Sequence, residues 1–168
     1  LIASDATLQF LLDALAEIPH VQTIRIHTRL PVVLPERVDA GLCAVLRASR
    51  FKKVVVLHAN HANELSAGVM QACGALRDAG CVLLNQSVLL KDVNNNADCL
   101  VSLSERLWVC GVLPYYLHVL DKVQGAGHFE VSDAEAKALL IALRARLPGY
   151  LVPRLARELP GEKSKQPV

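Results

Sequence analysis

The stretch Val54-Val55-Val56-Leu57-His58-Ala59-Asn60-His61-Ala62-Asn63-Glu64 sets a short apolar run directly against a cluster of polar side chains. An apolar run of this length with no alternating polar position reads as a strand buried on both faces, and such strands belong to parallel sheets covered by helices. The polar residues that follow then stand at the strand's carboxyl end, where open parallel sheets and β/α barrels both bind ligands.

The same alternation extends outward in both directions. Upstream, Ser4 and Asp5 can cap a helix whose apolar positions Leu8, Leu11, Leu12 and Leu15 follow i, i+3, i+4, i+7 spacing, and Val21-Gln22-Thr23-Ile24-Arg25-Ile26 continues as a strand. A second helix is expected over Pro35 to Ser49, with the proline in its first turn. Downstream, a third helix runs from about Asn63 to Ala79 and stops at Gly80, a natural residue to follow a helix, before the strand Cys81-Val82-Leu83-Leu84. A fourth helical stretch, Ala97 to Arg106, precedes a strand within Trp108 to Val119. Ser132 and Glu135 form a capping box for a last helix lined by Leu139, Leu140, Leu143 and Leu147. This amounts to about four β/α units, an α/β fold whose right-handed crossovers demand parallel strands. Periodicity leaves a doubly wound sheet and a β/α barrel both open.

Composition narrows the function classes. At 168 residues, 52% hydrophobic and 20% charged, the chain has the make-up of one ordinary globular domain or part of one. A formal charge of +2 with scattered basic residues gives no nucleic-acid footprint. No apolar run approaches the roughly 18 residues a membrane span requires. Cys43, Cys73, Cys81, Cys99 and Cys110 have no close paired spacing and read as buried thiols of a protein in a reducing, cytoplasmic setting.

Polar groups crowd every strand exit: His27-Thr28-Arg29, then His58 to Glu64, then Asn85-Gln86-Ser87. His27, His118 and His128, taken singly, are expected to be hydrogen-bonded structural residues. His58 and His61 could share one helical face, yet no third metal ligand stands at matching spacing, so no metal is assigned. Asn60, Asn63, Glu64 and Gln86 suit a polar cradle for ribose hydroxyls or an amino-acid head group, with capping by Asn60 and Asn63 the alternative. Asp121 follows the fourth strand, where a partly desolvated carboxylate can recognise a substrate cation or simply sit in a charged loop beside Lys122. Arg29 can meet an anionic ligand group or form a structural salt bridge. In the closing Pro160-Gly161-Glu162-Lys163-Ser164-Lys165, lysines inside a loop bounded by proline and glycine could hold an amine against a carbonyl, or could be a solvated tail.

Taken together, Arg25-Ile26-His27-Thr28-Arg29 with Pro31 and Pro35, His58 to Glu64, Asn85 to Leu90, Pro114-Tyr115-Tyr116 with Asp121, Gly127-His128-Phe129 and the closing Pro-Gly-x-x-x-Lys resemble the lysine 2,3-aminomutase family of radical S-adenosylmethionine enzymes. Within it, the Pro-Gly-Glu-Lys-Ser-Lys ending after Arg154-Leu155-Ala156-Arg157-Glu158 is most similar to the aminomutases that make β-lysine for elongation factor P. The resemblance implies a partial β/α barrel, a 4Fe-4S cluster, S-adenosylmethionine and pyridoxal phosphate, and a radical 1,2-amino shift on lysine.

The resemblance also implies residue roles. The last lysine of the Pro-Gly-x-x-x-Lys motif, Lys165, is the pyridoxal phosphate lysine, while Lys163 has no role carried over. Asp121 and Glu158 match the carboxylates that hold the substrate's far ammonium, with glutamate where the lysine-degrading enzymes carry aspartate. His58, Asn60 and Gln86 fall on the segments that contact S-adenosylmethionine. The family's Cys-x-x-x-Cys-x-x-Cys cluster motif does not occur here, so the cluster ligands are expected outside this sequence. On this reading residues 1–149 are the C-terminal part of the barrel, residues 150–168 carry the lysine loop and tail, and the chain alone is inactive. Unpaired strand edges are expected to be covered by self-association or by another segment. Two other classes remain: a Schiff-base aldolase or isomerase, which would need Lys165 at a strand end, and a non-catalytic domain that binds pyridoxal phosphate or S-adenosylmethionine.

Overall fold

The computed structural model describes residues 1–121, 124–159, 161–162 and 164–168. Its centre is a six-stranded sheet whose spatial order is its chain order: β1 (Thr23–Thr28), β2 (Lys52–His58), β3 (Cys81–Leu89), β4 (Leu113–Val119), β5 (Arg154–Arg157) and β6 (Gln166–Pro167). The first five strands run parallel, and β6 returns antiparallel along β5. The helices are α1 (Asp5–Ala16), α2 (Leu30–Val33), α3 (Ala40–Ala48), α4 (Ala67–Asp78), α5 (Ala97–Val109) and α6 (Asp133–Arg146).

One face of the sheet takes all the helix packing. Val55, Leu57 and Leu83 pack with Leu42 and Leu46 of α3, Leu76 of α4 and Leu107 of α5. Leu89, Leu117, Val119 and Leu155 pack with Leu100 of α5 and Leu143 of α6. Burying each such leucine contributes about 1.5–3 kcal/mol. Strand order equal to chain order, with helices on one side only, has no reversal point and therefore is the arrangement of a β/α barrel, not of a doubly wound sheet. The other face, the inside of such a barrel, carries Arg25, His27, Val56, His58, Leu84, Gln86, Tyr116 and His118, as the register pairs His27 with Val56, His58 with Gln86, Gln86 with Tyr116 and Val88 with His118.

Local chemistry redraws several expected boundaries. The helix expected over Pro35 to Ser49 is interrupted: Pro35–Arg37 forms a 3-10 turn, and α3 begins only after Asp39, whose carboxylate accepts from the Leu42 N–H at 2.8 Å. The helix expected from Asn63 starts at Ala67 under a Ser66 cap, because His61 and Glu64 cap a separate 3-10 turn, Ala62–Glu64. Gly80 does end α4, at φ +82°. Trp108 and Val109 complete α5 instead of opening β4, and the chain turns at Gly111, φ +73°, before Leu113. Only half of the expected capping box forms on α6: Ser132 accepts from the Glu135 N–H, while the Glu135 carboxylate accepts from Asn95 Nδ2 at 2.9 Å. β5 and β6 were not expected at all. Arginines at both ends of β5 break its apolar pattern.

Candidate functional site

The strand exits are first of all knitted to one another. Asn85, 1% exposed, accepts from the Ala59 N–H at 2.9 Å and donates to the Ala59 carbonyl at 3.0 Å and to Ser87 Oγ at 2.9 Å. Asn94, fully buried, accepts from the Leu90 N–H and donates to the Asn60 and Val88 carbonyls. The Glu64 carboxylate accepts from the N–H groups of Asn60 and His61 and from Arg29 Nη2, the last at 2.5 Å. Glu64 and Arg29 are therefore structural. Asn60 accepts from the Val88 N–H at 2.9 Å, which fixes the orientation of its side-chain amide. His58 ends β2 and His61 caps a turn, so the shared helical face does not exist.

On the open face of the sheet a different set converges. His58 and Gln86 are neighbours in register across β2 and β3, and His58 Nε2 and Gln86 Oε1 are buried with no hydrogen-bond partner. Buried polar atoms left unpaired are rare, which sets these two apart from the satisfied strand-exit groups above. Between Asn85 and Gln86 the register with β4 slips, so that Asn85 faces Pro114 and Gln86 faces Tyr116. That irregularity falls at Pro114, which has no N–H to give the ladder. It brings Tyr116 and then His118 onto the same face as Gln86.

Lys165, just before β6, reaches this face from the far edge. Its Nζ donates to Glu158, which follows β5, lies 3.1 Å from His118 Nε2, and sits 5.0 Å from the centre of the Tyr116 ring. Lys165 lies in the loop that enters the antiparallel β6, not at the end of a parallel strand. Lys163 and Pro160 of the same motif, and Lys122 beside Asp121, lie outside the described residues. Asp121 itself is exposed, and its charge acts on His118.

Electrostatics follow from this clustering. Burial, then the charge of Lys165, holds the His118 imidazole below its ordinary value. Burial also lowers His58, reinforced by His27, and lowers His27, reinforced by Arg25. The Lys165 hydrogen bond and charge hold the Glu158 carboxyl low. Below the ordinary imidazole value of about 6.5 the unfolded chain binds more protons than the folded one, so stability falls on acidification through that window and is level above it. Denaturation midpoints measured from about pH 7 down to pH 5 should decline, and less steeply in His118→Gln. An unchanged slope in the variant would count against the burial of this imidazole.

The cysteines lie elsewhere. Cys43, Cys73, Cys81 and Cys110 are buried in the helix-side core, and burial pushes the Cys73 thiol up to about 12. Among the described residues no group of histidine, cysteine or carboxylate side chains is arranged to hold a metal ion, and no helix is long and apolar enough to cross a membrane.

A one-sided parallel sheet whose strand order follows the chain defines a β/α domain of the barrel type. A radical SAM methyltransferase from Sphaerobacter thermophilus shares that fold, with a TM-score of 0.57 at 17% identity over 80% of this chain and 40% of the other. By sequence the chain is similar along its whole length to curated L-lysine 2,3-aminomutases. It is 52% identical to the L-lysine 2,3-aminomutase of Escherichia coli (strain K12) over 100% of this chain and 49% of that protein. The identity is 50% to the Haemophilus influenzae enzyme (98% and 49%) and 38% to that of Clostridium subterminale (100% and 40%). The chain thus spans about half the length of the curated relatives it matches. No protein-family model matches it.

Sequence reasoning named Lys165, Glu158, His58 and Gln86, which lie on or beside one sheet face, and passed over His118 and Tyr116. The signal for those two was the period of β4: Tyr116 and His118 are two apart and so share a face.

Proposed function

We propose that this chain is the cofactor- and substrate-binding half of a radical S-adenosylmethionine aminomutase that converts L-α-lysine to β-lysine. The observation that carries this reading is the convergence, on one sheet face, of the Lys165 amine with the unpaired His58 Nε2 and Gln86 Oε1. S-adenosylmethionine fits the His58 and Gln86 wall, with Asn60 amide N–H groups beside it, because these are polar groups whose burial is otherwise uncompensated. Pyridoxal phosphate fits Lys165, a partly buried amine fixed by hydrogen bonds and therefore presented in one orientation. The 4Fe-4S cluster and S-adenosylmethionine supply a hydrogen-abstracting radical, and pyridoxal phosphate supplies a conjugated system that eases nitrogen migration.

Glu158 and Asp121 are the groups we assign to the substrate's far ammonium. Glu158 already binds a primary ammonium, that of Lys165. Once Lys165 is committed to a carbonyl, this carboxylate is free to take a second lysine ammonium, and the negative charge of Asp121 also acts on His118. The product's destination, β-lysylation of elongation factor P, is inferred from the resemblance of the closing motif alone. The remaining half of the barrel, from another segment or another copy, is assigned to the open face and to the free edge of β1.

The test is an anaerobic assay of the intact protein with reconstituted cluster, pyridoxal phosphate, S-adenosylmethionine, a reductant and L-lysine. Accumulation of β-lysine is expected, resolved from α-lysine by chromatography of a derivative. Cleavage of S-adenosylmethionine without β-lysine would assign a different substrate, and no cleavage would overturn the reading.

A further inference from the structure

His118 lies 8% exposed on the open face with its Nε2 3.1 Å from Lys165 Nζ. An ammonium has no lone pair to offer, so in this contact the imidazole nitrogen accepts and the ring hydrogen sits on Nδ1. The Tyr116 ring, 5.4 Å from the His118 ring centre and 5.0 Å from Nζ, walls the pair on one side. Glu158 holds the same amine from β5, but a carboxylate held low is a poor proton acceptor and serves to fix charge. His118 is the only neutral base among the described partners of Lys165 Nζ.

We propose that His118 is the proton shuttle for carbon–nitrogen double-bond formation at Lys165. The proposal rests on the reading of Lys165 as the amine that meets an aldehyde. In the step, the Lys165 ammonium gives one proton to His118, the lone pair so freed forms the Nζ–C bond, and the C–O bond breaks. Two of the three hydrogens of that ammonium leave with the oxygen as water and the third stays on the nitrogen. His118 accepts from nitrogen and returns to oxygen, ending unchanged, and the reverse step uses the same path. The charges facing His118 are Lys165, Glu158, Asp121 and His58, and those of His27 and His58 also face Lys165. Burial first, and then the Lys165 charge, hold the imidazole value below its ordinary one against the opposing Glu158 and Asp121 charges, so the shuttle is available at pH 7 and is lost as pH falls through the lowered value.

The test mixes the intact protein with pyridoxal phosphate and follows imine absorbance, with borohydride trapping and peptide mapping of the adduct. For His118→Gln, formation and hydrolysis at pH 7 are both expected to slow by about 100-fold, with the equilibrium yield kept within about 2-fold, since a shuttle alters rates alone. A merely structural role would move the equilibrium instead. An adduct at Lys165 that forms equally fast in the variant sinks the shuttle and spares the Lys165 reading, whereas trapping at another residue in the parent protein sinks both. A second measurement needs no His118 variant. In nitrogen-15 NMR titration, the His118 imidazole value is expected to rise in Lys165→Ala, because a neighbouring positive charge is removed and Glu158 is left free. An unchanged titration would refute the contact.

Discussion

Lys165→Ala is expected to leave the fold intact and to abolish covalent capture of pyridoxal phosphate, with β-lysine formation by the intact protein falling by about 10⁴-fold or more. The fold should survive because Lys165 adds little to the core. Its side chain is 26% exposed, and its partner Glu158 is 57% exposed, so their ion pair is screened and worth well under what a buried pair would be. The activity should not survive, because no other lysine among the described residues is shown against this face with a base and a carboxylate on its amine. Circular dichroism checks the first half and borohydride trapping followed by peptide mapping the second. Trapped cofactor at an unchanged level in the alanine variant would remove Lys165 from the mechanism.

Asn85→Ala should be the most destabilising polar substitution at the site, at about 2–4 kcal/mol, or roughly 6–12 °C in Tm. The side chain satisfies the backbone N–H of Ala59 and one lone pair of its carbonyl, and also bonds Ser87. Truncation leaves the Ala59 N–H buried with no partner while opening a small void behind β3. Since Ala59 follows His58 directly, the same change should loosen the imidazole at the end of β2. Urea denaturation measures the loss, and a value under about 1 kcal/mol would mean that water replaces the amide without cost.

Asn85 and Lys165 also mark how much was legible in the chain. Both were singled out from the sequence, Asn85 within a strand-exit cluster and Lys165 within a glycine- and proline-bounded ending. Their partners were not. Ala59 lies 26 positions from Asn85, and His118 lies 47 positions from Lys165, and no periodicity reaches across such separations. His118 was expected to be an ordinary structural histidine because nothing local distinguishes it. β5 escaped notice because Arg154 and Arg157 interrupt its apolar residues, although Leu155 and Ala156 are buried once the strand joins β4. The break between the Pro35–Arg37 turn and α3 was masked by a helix-compatible proline, when the stronger signal was the Asp39 cap four residues later.

The alternation of apolar runs with amphipathic helices, and the placing of polar residues after each run, were determined by the sequence itself, because both follow from periods of two and 3.6 residues acting over short spans. Which polar residues became girders and which remained open to a ligand was decided only by tertiary structure. Parallel pairing set Glu64, Asn85 and Asn94 against backbone groups that had to be satisfied. The same sheet turned His58, Gln86 and His118 to the opposite face, where one antiparallel return brought Lys165 to meet them.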